Sequence, residues 1–444
     1  MSPYDLFVIG GGSGGVRAAR ASAALGARVG LAEESALGGT CVNLGCIPKK
    51  LLWYGAEYRS HLDHARGYGW TFGEATFSWR ALRAAKDREI ARLRGIYRGL
   101  LEDAGVEVFD ARATLHDAQS VEVAGKRWTS RNVLVATGGR PRRPAIPGAE
   151  HGMVSDDVFS LERLPDRVVV VGGGYIGVEL AGVFHGLGAE VVLVHRGPML
   201  LGGFDRDVRA HLGEAMGARG VDLRFEAEVV AIERLGDGSL RVVLAGGREL
   251  ETEAVLFAIG RDPRTDGIGL ERAGVKLEED GQIAVDELSR TSARSVWAIG
   301  DVTNRPDLTP VAIHEGACLA RTLFGDAPTA PSWEPLATAV FGHPPVGVVG
   351  LGEDEARERL GEVYCVVRRF RPLELALTDD AERTLVKMIV ECASDRVVGL
   401  HMVGAGAPEI VQGFAAAMRA GITKAQLDAT IGIHPTVAEE LVTL

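Results

Sequence analysis

The feature that most constrains this chain is written in it twice. Asp5-Leu6-Phe7-Val8-Ile9 is a short apolar run, followed by Gly10-Gly11-Gly12-Ser13-Gly14-Gly15 and an alanine-rich helical stretch to Leu25. A second apolar run, Arg28 to Ala32, then stops at Glu33. Far downstream the plan recurs as Val168 to Val171, Gly172-Gly173-Gly174-Tyr175-Ile176-Gly177, a helical stretch to Leu187, and Val191 to Val194 stopping at His195. In both copies that last residue stands 23 positions after the first glycine. A strand–GxGxxG–helix–strand unit is the context in which a glycine motif holds a dinucleotide. One glycine makes the turn, the next leaves room for a pyrophosphate, and the third lets the helix pack closely. The helix start adds unpaired N–H groups and the positive end of its dipole. Two such units at matched spacing predict an α/β chain with two Rossmann-like domains.

Other apolar runs that stop at glycine, Val133 to Gly138, Val255 to Gly260 and Val296 to Gly300, predict further buried strands. Prolines 141, 144 and 147 mark one boundary, and the proline-rich stretch from Thr329 to Pro335 marks another. The expected organisation is 1–140, 141–262, a returning segment 263–331, and an α+β domain 332–444. A length of 444 residues suits several domains. Hydrophobic residues at 46% and charged residues at 25% fit an ordinary globular protein, not a disordered one. The net charge of −11 argues against a nucleic-acid footprint or an anionic membrane surface. The opening MSPYDLFVIGGG has no basic region followed by a long apolar run, so a cytoplasmic location is the expectation.

The five cysteines, at 41, 46, 318, 365 and 392, are too sparse for a disulfide framework. Only Cys41 and Cys46 are close, in Gly38-Gly39-Thr40-Cys41-Val42-Asn43-Leu44-Gly45-Cys46-Ile47-Pro48-Lys49-Lys50. A regular helix would hold them too far apart for a bridge, but Asn43 and Gly45 tolerate an irregular turn that could close the gap. Such a bridge would be easily reduced. Pro48 suits a first helical turn, which places Cys46 at a helix start, where the dipole favours its thiolate. Lys50 lies four residues on, adding positive charge on the same face. No second Cys/His pair at ligand spacing supports a metal site.

With GGTCVNLGCIPKK, both fingerprints, AIGD at 298–301 and HPTVAEE at 434–440, the sequence resembles the pyridine nucleotide–disulfide oxidoreductases, and within them the glutathione reductase branch. The resemblance implies an FAD domain, an NADPH domain and a C-terminal α+β dimerisation domain in a homodimer. FAD would lie on Gly10, Gly12, Ser13, Gly14 and Gly15, with Glu33 on its ribose and Gly39, Thr40, Ala113, Thr137, Gly138, Asp301 and Thr309 around it. NADPH would lie on Gly172, Gly174, Ile176, Gly177, His195, Arg196 and Gly260, with Tyr175 as the lid of the nicotinamide pocket. Cys46 would face the flavin and Cys41 would attack the disulfide substrate. Lys50 would pair with Glu179 beside the flavin, and His434, oriented by Glu439, would act as acid–base across the dimer interface. Arg20 and Tyr97 would bind glutathione disulfide.

Three positions depart from the branch. His195 replaces the acid of an NAD site and Arg196 follows it, which favours NADPH, but a second arginine is Gly202 and a common alanine is Gly177. A second carboxylate-binding arginine is Ala317. Lys49 separates the chain from lipoamide dehydrogenases and mercuric reductases, which usually carry serine there. The alternatives are a lipoamide dehydrogenase, a reductase of another small disulfide, and a flavin-binding redox sensor or assembly subunit without turnover.

Overall fold

The computed structural model describes residues 3–303 and 305–444. It divides into two compact units, one of residues up to Lys49 with Arg83–Arg142 and Gly260–Trp333, the other of Lys50–Leu82, Arg143–Ile259 and Glu334–Leu444. The chain changes unit at 49/50, 82/83, 142/143, 259/260 and 333/334. The segment 50–82, inside the first expected domain, belongs to the second unit.

The first unit is built on a sheet whose central strand β1 (Tyr4–Ile9) is flanked in parallel by β2 (Val29–Glu33) and by a longer strand, Lys126–Val135. Strand Glu107–Asp110 extends it beyond β2, and Val296–Ala298 adds in parallel to the C-terminal end of Lys126–Val135. Side chains alternate along β1, so Leu6 and Val8 pack on one face with Val29, Leu31 and Leu134, while Phe7 and Ile9 pack on the other with Val133 and Val135. Both faces are covered, which is why the run has no polar alternation. Helix α1 (Ser13–Ala24) buries Gly14, Gly15, Ala18 and Ala19. These small residues bring it close to helix Thr309–Phe324: a Cβ on Gly316 would lie 2.7 Å from the carbonyl oxygen of Gly14. Three more helices follow β2 in sequence: α2 (Gly39–Leu44), α3 (Cys46–Gly67) and α4 (Trp79–Asp103).

The second unit repeats the theme. A parallel sheet runs in the order Asp222–Arg224, Glu190–Val194, Arg167–Val171, Ala254–Phe257 and Met153–Val154, with helix Tyr175–Gly186 following the second fingerprint. A separate five-stranded antiparallel sheet, formed between Ala337 and Val403, carries helix Ala407–Arg419 over a core of Val349, Met388, Leu400, Met402 and Val411. The architecture is therefore mixed α/β, with two Rossmann-like sheets and a C-terminal α+β region. Among the described residues no helix is long and apolar enough to cross a membrane.

Candidate active site

The two fingerprints agree atom by atom. Gly10 and Gly172 both have positive φ, and a Cβ at either would strike a carbonyl oxygen, Ala136 at 2.3 Å or Ala258 at 2.2 Å. A Cβ on Gly15 would lie 2.0 Å from the Gly10 oxygen, and one on Gly177 would lie 1.9 Å from the Gly172 oxygen. The middle glycines differ in kind: Gly174 has open space around it, and Gly12 has only Gly39 near, at 3.8 Å. Gly12 and Gly174 are also the N-caps of their helices, and neither helix start is capped by a side chain. An open cradle at uncapped helix N–H groups fits a pyrophosphate at both places. The strand-end residues match too. Glu33 accepts the Gly11 N–H at 2.7 Å, and Nδ1 of His195 accepts the Gly173 N–H at 3.1 Å. Burial, then Arg196 and Arg209, lower the His195 pKa, which keeps the ring neutral and able to accept. Glu33 also accepts from the N–H and hydroxyl of Ser35, which the sequence reading did not single out.

The cysteine segment docks on the first fingerprint. The Gly38 N–H donates to Gly11 O at 2.8 Å, and a Cβ on Gly39 would lie 2.6 Å from the Gly12 Cα, so only glycine permits this approach. Cys41 lies on α2, and Cys46 opens α3 as expected. The turn between them is made by Gly45, at φ −149° and ψ −119°. Asn43 is not the irregular residue that was expected: it lies within α2 and uses its side chain instead. Its Nδ2 donates to the oxygens of Gly39 (2.8 Å), Leu37 (3.1 Å) and Ala36 (3.2 Å), and its Oδ1 accepts from Nε of Arg94 at 2.6 Å.

Hydrogen bonding with Cys46, then burial and the charge on Cys46, push the Cys41 thiol far up. Cys46 is the more exposed of the two. Its Sγ lies 3.5 Å from Oγ1 of Thr309, at the start of helix Thr309–Phe324. Tyr97 is pushed up by burial and then by the charge on Cys41. Nε of Arg20 is buried and finds no hydrogen-bond partner among the described residues. Asp301 is raised by burial against the pull of Arg261. The Thr137 hydroxyl donates to Arg264 O at 2.7 Å, Gly138 has open space, and Ala113 is buried in the core, where it offers only backbone.

Within the second unit, Lys50 and Glu179 converge on one residue. The Lys50 ammonium lies 3.7 Å from the ring centres of both Trp53 and Phe341, and Glu179 accepts the Phe341 N–H at 2.8 Å. Neither ring was legible as a site residue. Tyr175 opens its helix and is exposed, Ile176 packs on the core, and Gly260 has open space. Arg196 is exposed beside His195. Nδ1 of His434 lies 3.0 and 3.2 Å from the two carboxylate oxygens of Glu439, on a side chain that is 82% exposed. Among the described residues no cluster of His, Cys, Asp and Glu could hold a metal ion.

Two dinucleotide cradles, with a cysteine pair seated on the first, define a two-cofactor redox protein. The chain belongs to the pyridine nucleotide–disulphide oxidoreductase family, whose model matches residues 4–316, and the model of that family's dimerisation domain matches 336–444. It is similar to a glutathione reductase of Burkholderia cepacia, 50% identical over 99% of this chain and 98% of the relative. A chloroplastic/mitochondrial glutathione reductase of Pisum sativum is 44% identical over 99% of this chain and 82% of its own length. One from Yarrowia lipolytica is 39% identical over 99% and 98%.

Proposed function

We propose that the protein reduces glutathione disulfide with NADPH, through FAD and the Cys41–Cys46 pair, as a homodimer. Residues 1–140 and 263–331 would surround FAD, 141–262 would hold NADPH, and 332–444 would form the subunit interface. Bound there, FAD would supply the redox chemistry that links the two-electron donor NADPH to a disulfide. The observation that carries this reading is the cysteine pair docked glycine-to-glycine on a pyrophosphate cradle, with Cys46 at the head of α3.

Cys41, relieved of its proton by His434 of the partner subunit, attacks one sulfur of the substrate. The substrate S–S bond breaks, a mixed disulfide forms, and the departing thiolate takes that proton back. The Cys46 thiolate then attacks the Cys41 sulfur, closing the Cys41–Cys46 disulfide and releasing the second half of the substrate as a thiolate, which takes a proton from water. Two electrons from NADPH reopen it. The contact with Glu439 holds the His434 ring in a fixed orientation. Ile431 and Ile433, 93% and 76% exposed beside His434, suit a face covered by a second copy. The unpartnered Nε of Arg20 suits a substrate carboxylate, and Tyr97 suits the substrate chain. A cytoplasmic location agrees with five cysteines too sparse for a structural disulfide framework.

The test is steady-state NADPH oxidation with glutathione disulfide, lipoamide and an uncharged disulfide. Glutathione disulfide is expected to be fastest by kcat/KM, and Cys41→Ser to abolish its turnover. Substantial turnover in that variant, or a faster uncharged substrate, overturns the reading.

A further inference from the structure

We infer that Arg94 is a positioning residue for the redox pair, acting through Asn43. This rests on the reading that Cys41 and Cys46 cycle between dithiol and disulfide. Helix α2 has six residues, too few to hold its shape unaided. It opens at Gly38 with φ +95° and closes at Gly45, so neither end is clamped by a side chain of its own. The clamp is Asn43, which is buried and ties the helix to three carbonyls of the segment Ala36–Gly39. Arg94 reaches across from α4, 51 residues away in sequence, to supply the one donor to its Oδ1 among the described residues. Cys41 stands two residues before Asn43 on that helix, and Cys46 stands just beyond the Gly45 joint. A disulfide forms only within a narrow range of Cα separation and dihedral angle. The orientation of α2 therefore sets how often the two sulfurs meet. Loss of the Arg94 donor leaves a buried acceptor unpaired, loosens the clamp and lowers the concentration of one thiol at the other.

The test titrates the pair in the FAD-loaded enzyme against dithiothreitol, which gives two electrons and two protons to the disulfide and becomes its own cyclic disulfide. Free Cys41 and Cys46 are alkylated and counted by mass. Arg94→Met is expected to make the Cys41–Cys46 disulfide about fivefold less stable, an upward shift of roughly 20 mV for two electrons. Arg94→Lys, which keeps a donor and the charge, should restore at least half of the shift. Asn43→Ser should shift the potential at least as far, and adding Arg94→Met to it should shift it no further, since both remove one interaction. An unshifted Arg94→Met, a lysine variant no better than methionine, or additive shifts would overturn the inference. A native enzyme that forms no Cys41–Cys46 disulfide at any ratio overturns instead the reading on which it rests.

Discussion

Lys387→Met should destabilise the second unit by about 3 kcal/mol, and the deficit should shrink in acid. Lys387 is 1% exposed, in the middle of strand Thr384–Glu391. Its ammonium donates to Asp205 at 3.1 Å and to Asp207 and Glu353 at 2.7 Å. Removing one partner from a buried ionic cluster costs about 3–5 kcal/mol, because the charges left behind are stranded. The lower end applies here. The Asp207 and Glu353 side chains are 40% and 30% exposed and can turn to water. The buried Asp205 keeps two backbone donors, the N–H groups of Asp207 and Glu353. For a unit of this size the loss corresponds to a fall of roughly 6–12 °C in its melting temperature. Hydrogen bonds from Lys387 and then Arg357 hold the Glu353 pKa down at about 2. A carboxyl depressed on folding stabilises above its unfolded pKa, and that contribution is lost as pH falls towards the folded one. Native enzyme therefore loses stability between about pH 4.5 and 2. In the variant Asp205 has burial without an ammonium, its pKa rises, and acid relieves it. The two melting curves, followed by circular dichroism from pH 7 to pH 2.5, should converge as pH falls below about 4.5. Neutralising all three carboxyls in the Lys387→Met background (Asp205→Asn, Asp207→Asn, Glu353→Gln) should recover more than half of the loss. A deficit under about 1 kcal/mol at pH 7, or one that widens in acid, would refute the argument.

Arg196→Ala should largely erase the preference for NADPH over NADH, a loss of roughly ten- to hundredfold in relative kcat/KM for one charged contact, and Gly202→Arg should enlarge it. Ala317→Arg, on the helix Thr309–Phe324, should lower KM for glutathione disulfide with kcat unchanged, and Arg20→Ala should raise it; equal effects on an uncharged disulfide would dismiss both as carboxylate contacts. His434→Ala should cut kcat by about 10²–10⁴, and mixing it with Cys41→Ser subunits should restore part of the activity if the histidine serves the partner's site. A light-scattering measurement that finds an active monomer would exclude that arrangement.

What the sequence made legible was local. Both glycine fingerprints, the strand that precedes each, and Cys46 at the head of α3 follow from contacts within a few residues, and the structure holds them there. What stayed hidden depends on partners far along the chain. Asn43 suggested a backbone role because its neighbours are glycines and cysteines; its clamp becomes visible only once α4 brings Arg94 beside it. Lys387 interrupts an apolar run that was readable as a strand, but its burial depends on carboxylates 182, 180 and 34 positions away. Lys50 is four residues from Cys46, and the rings under its ammonium include Phe341, far along the chain and out of reach of any local pattern. His195 was expected to face the nucleotide ribose; its ring also accepts a hydrogen bond from its own loop, a contact that depends on the fold of that loop.

That last contact bears on any attempt to redesign nucleotide choice. Because the residue at the end of the second strand fastens the glycine loop in both copies, position 195 answers to two requirements at once: the ligand outside and the Gly173 N–H inside. Aspartate, glutamate, asparagine or neutral histidine can meet the inner one; arginine, lysine and alanine carry no acceptor and would release the loop. Charge meant for a 2′-phosphate must therefore be engineered at 196 or 202, and 195 is open to exchange only among acceptors.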